Sequence, residues 1–582
     1  MRNPVSVFGV TALIAVAAAS VVGGEPVALL NPPKVQAWAL NSLERALRDD
    51  PPGTRTEVVI QAARNEWESF QVALRGSVPL RVASCRWAGS IAPNERKRYV
   101  DVFRVYREHQ LQITHPTYRN EHFRPGWYPD ALVPECHPVT GAPLAGARFQ
   151  ALPFDLPPNE TQTFWIDLHI AREAPPGRCR FNLSIFFEGA RPVTLPVDVE
   201  IWNFTLPDRA AMHTQFGSPA ERMKRYYGEL EKKGAIQGQP DFSAFGPIHT
   251  QCAKLLGEHR LNCEIPPELL ADKPREDGSF DLTPEQLDGI RRWAATHHVN
   301  SLPVPPPHRR FKDPEGDRDK IPRWLKSWDR AFDAAGLGDL LVYTYLKDEP
   351  NDKEAYEFVQ KWGRAMRESG SRVKALVVEQ TWTQDEAWGN LHGAVDIWVP
   401  LFSLFKAESA QKRQALGEQI WTYTALCQRE PTPWWHTDFP LCHYRAPAWM
   451  AWRYGMKGLL YWGGLSFWYH VEDPWIDPKT YQPGDRSRPI EKRPIYNGEG
   501  CLVYPARDVG FDGVVPSMRL KVLRDALEDF DYLALLEARG LREKALEIVM
   551  PVGGSWNSWP VDPQVYFAAR ERLAKLIVES AK

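Results

Sequence analysis

The sequence predicts a multidomain protein of mixed β and α/β class: an N-terminal β-sandwich, then a (β/α)8 TIM-like barrel with a C-terminal helical end. The first observation is size, because 582 residues with 43% hydrophobic side chains can bury more than one core. The second is a series of short β-rich runs, separated by Pro and Gly, before residue 205. The third is an alternation of strand-like and helical stretches after Leu206-Pro207, which indicates a parallel sheet covered by helices.

The first 24 residues are predicted to be a secretory signal. Arg2 precedes the apolar run 5–22, and no acidic residue occurs before Glu25. A secreted or periplasmic location follows. An uncleaved anchor is the alternative, because about 18 apolar residues are at the short limit for a membrane span.

Residues 25–206 are predicted to form the β-sandwich. Six runs have the β-rich composition expected of its strands: 57–60, 68–74, 99–106, 161–170, 178–187 and 193–204. The stretch 125–134, PGWYPDALVP, contains three prolines and is interpreted as an apolar loop that packs against the next domain.

Residues 207–582 are predicted to form the barrel and its C-terminal helices. Eight runs are assigned as barrel strands: 212–216, 260–263, 299–304, 340–346, 373–379, 395–399, 420–424 and 458–461. Helices are predicted at 517–539 and 566–579. Four charged residues of the first of these are interpreted as a solvated or ion-paired face: Arg519, Arg524, Glu528 and Asp531.

The fourth barrel strand ends in two adjacent carboxylates, Asp348 and Glu349. Pro350 cannot donate to a sheet ladder and therefore ends the strand. Asn351 or Asp352 is expected to cap a helix over 353–368. Because catalytic groups of such barrels lie at the carboxyl ends of the strands, the pair is expected to face a cleft.

Other strand ends and the long loop after the eighth strand supply polar and aromatic side chains that would converge on the same face. Aromatic rings offer flat apolar faces on which sugar rings stack, and the chain has 23 Trp. The candidates for substrate binding are Tyr345, Trp398, Trp421, Tyr423, Trp462, Trp468 and Glu499.

The net charge and the cysteine spacing limit the classes of partner and cofactor that the protein is expected to bind. The net charge is −2 without a long basic run, which disfavours a nucleic acid or a membrane surface and indicates a neutral partner; the many Trp favour a carbohydrate. The eight Cys have no zinc-like spacing, so neither a metal nor another cofactor is predicted.

Several stretches resemble the bacterial family called domain of unknown function 4091, which is related to glycoside hydrolase family 123. They are AARNEWESFQVAL (62–74), YLKDEP (345–350), IWTYT (420–424), GLLYWGGLSFW (458–468), NGEGCLVYP (497–505) and PSMRLKVLRDALEDFDYLALL (516–536). The resemblance implies a β-sandwich before a (β/α)8 barrel and an exo-acting β-N-acetylgalactosaminidase. It places the catalytic Asp-Glu pair on Asp348 and Glu349. Glu499 stands where the related pattern has Asp, so the resemblance leaves the sugar open.

Adjacent carboxylates suit one side of a sugar better than the two opposite sides that ordinary glycosidases require. They fit substrate-assisted, retaining hydrolysis, in which the 2-acetamido oxygen attacks, Glu349 acts as acid and then base, and Asp348 orients the acetamido group. One alternative is a two-carboxylate glycosidase that acts on a sugar without the acetamido group, with Glu379 or Asp396 as the partner of Glu349. The other is a secreted carbohydrate-binding protein without turnover.

Overall fold

The computed structural model describes residues 35–88, 96–121, 123–243, 245–426, 431–468, 471–480, 489 and 492–581. The predicted secretory signal at 1–24 lies outside these residues. No helix in the described ranges is both long and apolar enough to cross a membrane. The seven cysteines that the structure describes are free thiols.

The first part of the chain consists of two five-stranded sheets. Its strands are β1 (Val35–Asn41), β2 (Val58–Arg64), β3 (Glu66–Gly76), β4 (Leu80–Ala88), β5 (Val100–Ile113), β6 (Gly126–Pro134), β7 (Phe154–Leu156), β8 (Thr161–Ile170), β9 (Gly177–Glu188) and β10 (Val193–Thr205). One sheet has the order β1-β3-β8-β5-β6 and the other the order β2-β10-β9-β4-β7. Apolar side chains of both sheets, such as Phe164 and Phe181, meet in one core.

The stretch 125–134 is not a loop, as the sequence had suggested, but contains the strand β6. It pairs antiparallel with β5, from Tyr106 opposite Pro134 to Ile113 opposite Gly126. Its prolines are tolerated because β6 lies at an edge of its sheet, where one side of the strand needs no ladder partner. The expected packing against the later part of the chain is present, since Asp130 of β6 accepts hydrogen bonds from Tyr504 and Arg519.

A parallel seven-stranded sheet forms the centre of the second part of the chain. Its strands are β11 (His213–Gln215), β12 (Ser301–Pro303), β13 (Leu341–Asp348), β14 (Lys374–Val378), β15 (Ile397–Trp398), β16 (Gln419–Thr424) and β17 (Gly458–Tyr461). The order β11-β17-β16-β15-β14-β13-β12 brings the first and second of these strands to the two edges of a nearly closed sheet.

One of the eight predicted barrel strands, the second at 260–263, is wrong: these residues form no strand in the structure. Asn262 instead connects the two edges through its side chain and backbone. Its N–H donates to Thr214 of β11 at 2.7 Å, and its side-chain amide donates to the carbonyl of Ser301 in β12 at 2.8 Å. Side-chain hydrogen bonds thus replace a ladder at this position.

Helices lie between and after these strands. They are α1 (Pro219–Lys232), α2 (Pro247–Glu258), α3 (Pro284–Thr296), α4 (Lys320–Ala334), α5 (Lys353–Glu368), α6 (Ala407–Gln414), α7 (Cys442–Arg453), α8 (Met518–Ala538), α9 (Arg542–Gly553) and α10 (Pro563–Glu579). A short antiparallel pair, β18 (Val503–Pro505) and β19 (Val514–Pro516), precedes α8. The predicted C-terminal helices correspond to α8 and α10.

Candidate active site

The strand β13 carries the acidic pair to the carboxyl end of the parallel sheet. Asp348 is its last residue, and Glu349 follows it directly. Asp352 caps α5 as predicted, because its side chain accepts a hydrogen bond from the N–H of Ala355 at 2.7 Å. Glu349 has a positive φ of 36°. For a residue with a side chain, this left-handed conformation is strained, and such strain is concentrated at functional sites.

Each carboxylate of the pair has its own tyrosine partner. The Tyr345 hydroxyl donates to Asp348 Oδ1 at 2.8 Å, and the Tyr423 hydroxyl donates to Glu349 Oε1. Burial, followed by the negative charge of Asp348, raises the pKa of Tyr345 above its ordinary value, so this phenol remains a donor. Both carboxylates are exposed, which means that the tyrosines orient them without removing them from solvent.

A cleft of about 590 Å³ lies against this pair. Tyr345, Tyr423 and Trp462 are among the predicted residues that line it. The size is within the range of ordinary small-molecule sites, which bury most of their ligand. The structure therefore brings together five of the predicted residues, namely Tyr345, Asp348, Glu349, Tyr423 and Trp462.

Glu499 lies behind the cleft wall and not on its surface. It is 1% exposed, and the Trp462 indole N–H donates to its Oε1. Burial raises the pKa of Glu499 to about 8, against an ordinary value of 4.5. The tight path of the chain here depends on Gly498 and Gly500, whose φ angles are 78° and 70°. Glu499 therefore positions Trp462 and does not reach a ligand itself.

Three of the predicted substrate-binding residues do not reach the cleft. Successive residues of a strand point to opposite faces, and Trp398 is on the outer face of β15, where its indole donates to Glu418 at 2.7 Å. Trp421 points inward but is too deep: it packs on Tyr343 inside the sheet, with 5.4 Å between ring centroids. Trp468 is fully buried and donates to the carbonyl of Val503. The prediction that these three residues contact the sugar directly is therefore corrected: they belong to the core.

The structure also shows the positions of Glu379 and Asp396, the residues that the two-carboxylate alternative would pair with Glu349. Asp396 precedes β15, at the amino end of the sheet, where it accepts hydrogen bonds from Ala375 N at 2.9 Å and Arg367 at 3.1 Å. Glu379 follows β14 but is 4% exposed, and burial, with a further contribution from Glu349, raises its pKa to about 8. Neither residue lines the cleft.

The sequence analysis missed the cleft wall formed by the segment after β11. Gln215, Glu221 and Arg222 line the cleft from this side. Gln215 accepts a hydrogen bond from Tyr343 and donates to Glu264 at 3.0 Å, so it is held in place at the base of the cleft. The available signal was that Gln215 lies at the carboxyl end of the predicted barrel strand 212–216 and that GSPAER follows it directly, as the acidic pair follows the strand 340–346.

The described residues contain no group of three or more His, Cys, Asp and Glu side chains that could hold a metal ion. The cleft contains a pair of carboxylic acids, two phenolic donors and an indole ring. Its third carboxylate is that of Glu221. A paired set of carboxylates beside aromatic rings, at the carboxyl ends of a parallel sheet, is typical of glycoside hydrolases.

Comparison with known proteins agrees with this class. A model of the glycoside hydrolase 123 catalytic domain matches residues 318–536, which include the acidic pair, Tyr423, Trp462 and most of α8. The protein is accordingly a glycoside hydrolase, and its relation to family 123 is supported. The resemblance to the domain of unknown function 4091 family stays a prediction.

The solved structures include one with a similar fold along nearly the whole chain. It is a family 123 glycoside hydrolase from Clostridium perfringens, whose study concerns glycolipid glycan hydrolysis, with 14% identity, a TM-score of 0.60, and coverage of 94% of this chain and 97% of that chain. A GH5 xyloglucanase from Bacteroides ovatus has 8% identity and a TM-score of 0.25, and covers 70% of this chain and 91% of its own. The curated proteins contain no match.

Proposed function

We propose that this glycoside hydrolase is an exo-acting, retaining β-N-acetylgalactosaminidase of the β-N-acetylhexosaminidase type that uses the 2-acetamido group of its substrate as the nucleophile. The observation that carries the proposal is the placement of Asp348 and Glu349 side by side on one strand end, each with its own tyrosine donor. Conventional glycosidases place their two carboxylates across the scissile bond, at about 5 Å for retention and more for inversion.

In the first step Glu349 donates its proton to the glycosidic oxygen. The acetamido oxygen attacks the anomeric carbon, the bond to the leaving group breaks, and the electron pair of that bond goes to the protonated oxygen. Asp348 orients the acetamido N–H and stabilises the positive charge of the cyclic oxazolinium intermediate. In the second step the Glu349 carboxylate takes a proton from water, whose oxygen attacks the anomeric carbon and opens the ring, so the configuration is retained.

The tyrosines and Trp462 support these roles. Tyr423 donates to Glu349 and stabilises the carboxylate that remains after proton transfer. Tyr345 holds Asp348 in one orientation. Trp462, fixed by Glu499, offers its ring as a wall for the sugar. The glycan-hydrolysing activity ascribed to the similar Clostridium perfringens protein supports a glycan substrate for this cleft as well.

A second candidate, a two-carboxylate glycosidase, is favoured by one specific observation. Glu221, in the first turn of α1, lines the same cleft as Glu349 and is exposed to it. His249 lies 3.7 Å away, but the Glu221 side chain is 59% exposed, so its carboxylate remains accessible to a ligand. Of the carboxylates considered, Glu221 therefore replaces Glu379 and Asp396 as the partner that this mechanism would require.

The test compares hydrolysis of 4-nitrophenyl 2-acetamido-2-deoxy-β-galactoside with that of the matching 2-hydroxy β-galactoside. We expect the acetamido substrate to react at least about a thousandfold faster, because an internal nucleophile supplies effective molarities on the order of 10⁵ M or more. NMR of the first-formed sugar should show the β anomer, and a thiazoline mimic should inhibit competitively. Equal rates on both substrates, the α anomer, or inactivation by Glu221→Gln would favour the second candidate. No turnover on any glycoside would favour a binding protein.

We also propose that residues 1–24 direct secretion or export to the periplasm, and that residues 25–206 and 207–582 are the β-sandwich and the (β/α)8-type catalytic domain. The two five-stranded sheets end with β10 at Thr205, and the parallel sheet begins with β11 at His213, which supports this boundary. N-terminal sequencing of the exported protein should begin near residue 25. A mature chain that still starts at Met1 would contradict the cleaved signal.

A further inference from the structure

A second cleft, separate from the acidic pair, lies on the N-terminal sheets. Its volume is about 1150 Å³, compared with about 590 Å³ for the candidate active site. The strands β5 and β8 contribute to its floor, and the segment 475–479, from the long loop after β17, contributes to one wall. Nothing in the proposed mechanism uses this cleft.

Arginine side chains stacked on aromatic rings are the main feature of this cleft. The guanidinium of Arg48 lies 3.6 Å from the ring centroid of Trp127, and that of Arg107 lies 4.6 Å from the ring of Phe154. Such pairs present a planar cation with fixed donors beside an apolar face. This combination suits a ligand that has both a negative group and a ring.

The charge of Arg107 is not balanced by the protein. Arg48 has Glu160 at 3.6 Å, whereas among the described residues Arg107 forms no ion pair with a carboxylate. Its Nε donates to the carbonyl of Gln150 at 2.8 Å, which leaves the two terminal nitrogens for another acceptor. Arg107 is 7% exposed, and burial alone lowers its pKa to about 10. A buried cation without a counter-charge is costly, and an anionic ligand would remove that cost.

We propose that this cleft is an accessory binding site for an acidic sugar residue, whose carboxylate or sulfate group pairs with Arg107. The exposed side chains of Gln112 and Thr114 line the same cleft and can bond sugar hydroxyls. A sugar is favoured over other anions because the chain is a glycoside hydrolase whose substrates are carbohydrates. The cleft would then hold a charged part of the glycan, or a neighbouring glycan, while the barrel acts on another residue.

Calorimetric titration with galacturonate, galactose 6-sulfate and galactose tests the site, because the three sugars differ mainly in the acidic group. We expect at least one acidic sugar to bind at least about tenfold more tightly than galactose, and the binding to weaken as salt is added. Galacturonate and galactose 6-sulfate distinguish the carboxylate from the sulfate. Equal affinities for all three sugars, or inorganic sulfate binding as tightly as the preferred acidic sugar, would overturn the proposal.

Arg107→Met should abolish the preference for the acidic sugar. The matched control is Arg180→Met, which removes an exposed arginine of β9 that pairs with Asp198 of β10, and this variant should bind like the wild type. Hydrolysis of a simple aryl glycoside should be unchanged in both variants, so this result is independent of the proposed mechanism. Unchanged binding in Arg107→Met would contradict the site. Arg107→Lys, which keeps the charge, should retain part of the preference and serves as the test should the Met variant fail to fold.

Discussion

Two regions of the molecule are rich in ionisable side chains, the acidic pair after β13 and the helix α8, and they differ in what surrounds them. Asp348 and Glu349 are exposed in a cleft and accept hydrogen bonds from phenols. Seven of the eight charged residues of α8 are buried and meet charges of opposite sign. They are Arg519, Lys521, Arg524, Asp525, Glu528, Asp529 and Asp531.

The partners of α8 come from both parts of the chain. Arg519 donates to both oxygens of Asp130 in β6, at 2.8 and 2.9 Å. Lys521 and Arg524 donate to Asp167 in β8, at 2.6 and 3.1 Å. On another side, Asp529 accepts two hydrogen bonds from Arg445 of α7. The helix therefore ties the N-terminal sheets to the helices around the parallel sheet through buried ion pairs.

The difference shows what decides the role of a charged residue. The sequence predicted a solvated or ion-paired face on α8; ion pairing is confirmed and solvation is wrong. A buried charge that is held in an ion pair cannot contact a substrate, so its effect is on stability. An exposed carboxylate oriented by neutral donors is free to exchange a proton.

The largest expected effect is on catalysis and comes from a change in the acidic pair. Glu349→Gln should reduce turnover of a substrate with a poor leaving group by roughly 10²- to 10⁴-fold, because an amide cannot transfer the proton. The melting temperature should stay close to that of the wild type. Steady-state kinetics and thermal denaturation of the same preparation check both statements. A variant with more than half of the wild-type rate would rule Glu349 out as the acid.

The matching change in α8 should affect stability and not chemistry. Arg519→Met leaves Asp130 buried without its partner and should lower the free energy of unfolding by about 3–5 kcal/mol. Denaturant titration measures the loss, with Asp130→Leu/Arg519→Met as the control that removes both charges. The double variant should be less destabilised than Arg519→Met. If Arg519→Met unfolds at the same denaturant concentration as the wild type, the ion pair does not stabilise the protein.

A smaller effect is expected from the phenol that orients Glu349. Tyr423→Phe removes one hydrogen bond to a charged group, worth about 1.5–3 kcal/mol, and should lower kcat/KM by roughly ten- to a hundredfold. Tyr566→Phe is the matched control, since its hydroxyl donates to the carbonyl of Pro560, away from the cleft. Equal activity in the two variants would show that Tyr423 does not support catalysis.

The buried carboxyl group of Glu499 should make the stability of the protein depend on pH. Its pKa is about 8 in the folded protein against an ordinary value of 4.5, so the unfolded chain holds fewer protons between these values. Stability should therefore fall as the pH rises from about 4.5 to 8. Glu499→Gln keeps an acceptor for Trp462 and should remove this contribution. Melting temperatures at pH 5 and pH 8 should show a smaller fall in the variant; an equal fall would contradict the assignment.

The smallest effect is expected for Glu379→Gln. This residue does not line the cleft, and its raised pKa keeps the carboxyl group neutral near pH 7. More than half of the wild-type activity should remain in a standard assay. A loss of activity comparable to that of Glu349→Gln would show that Glu379 takes part in catalysis.

The sequence by itself determined the features that depend on neighbours along the chain. The β-rich run 340–346, which is followed by Pro350, predicted β13, and Asp352 caps α5 through a contact three residues away. The alternation of strands and helices likewise predicted seven of the parallel strands, because periodicity is a local property. The acidic pair and its aromatic surroundings could be proposed on the same basis.

Only the tertiary structure decided which of these side chains share a space. It placed Trp398 and Trp421 on opposite faces of the sheet, replaced one strand by the hydrogen bonds of Asn262, and brought Glu221 to the cleft. It also buried the charges of α8 against Asp130 and Asp167, residues more than 300 positions earlier in the chain. Contacts over such separations depend on how the sheets pack, and no local pattern encodes them.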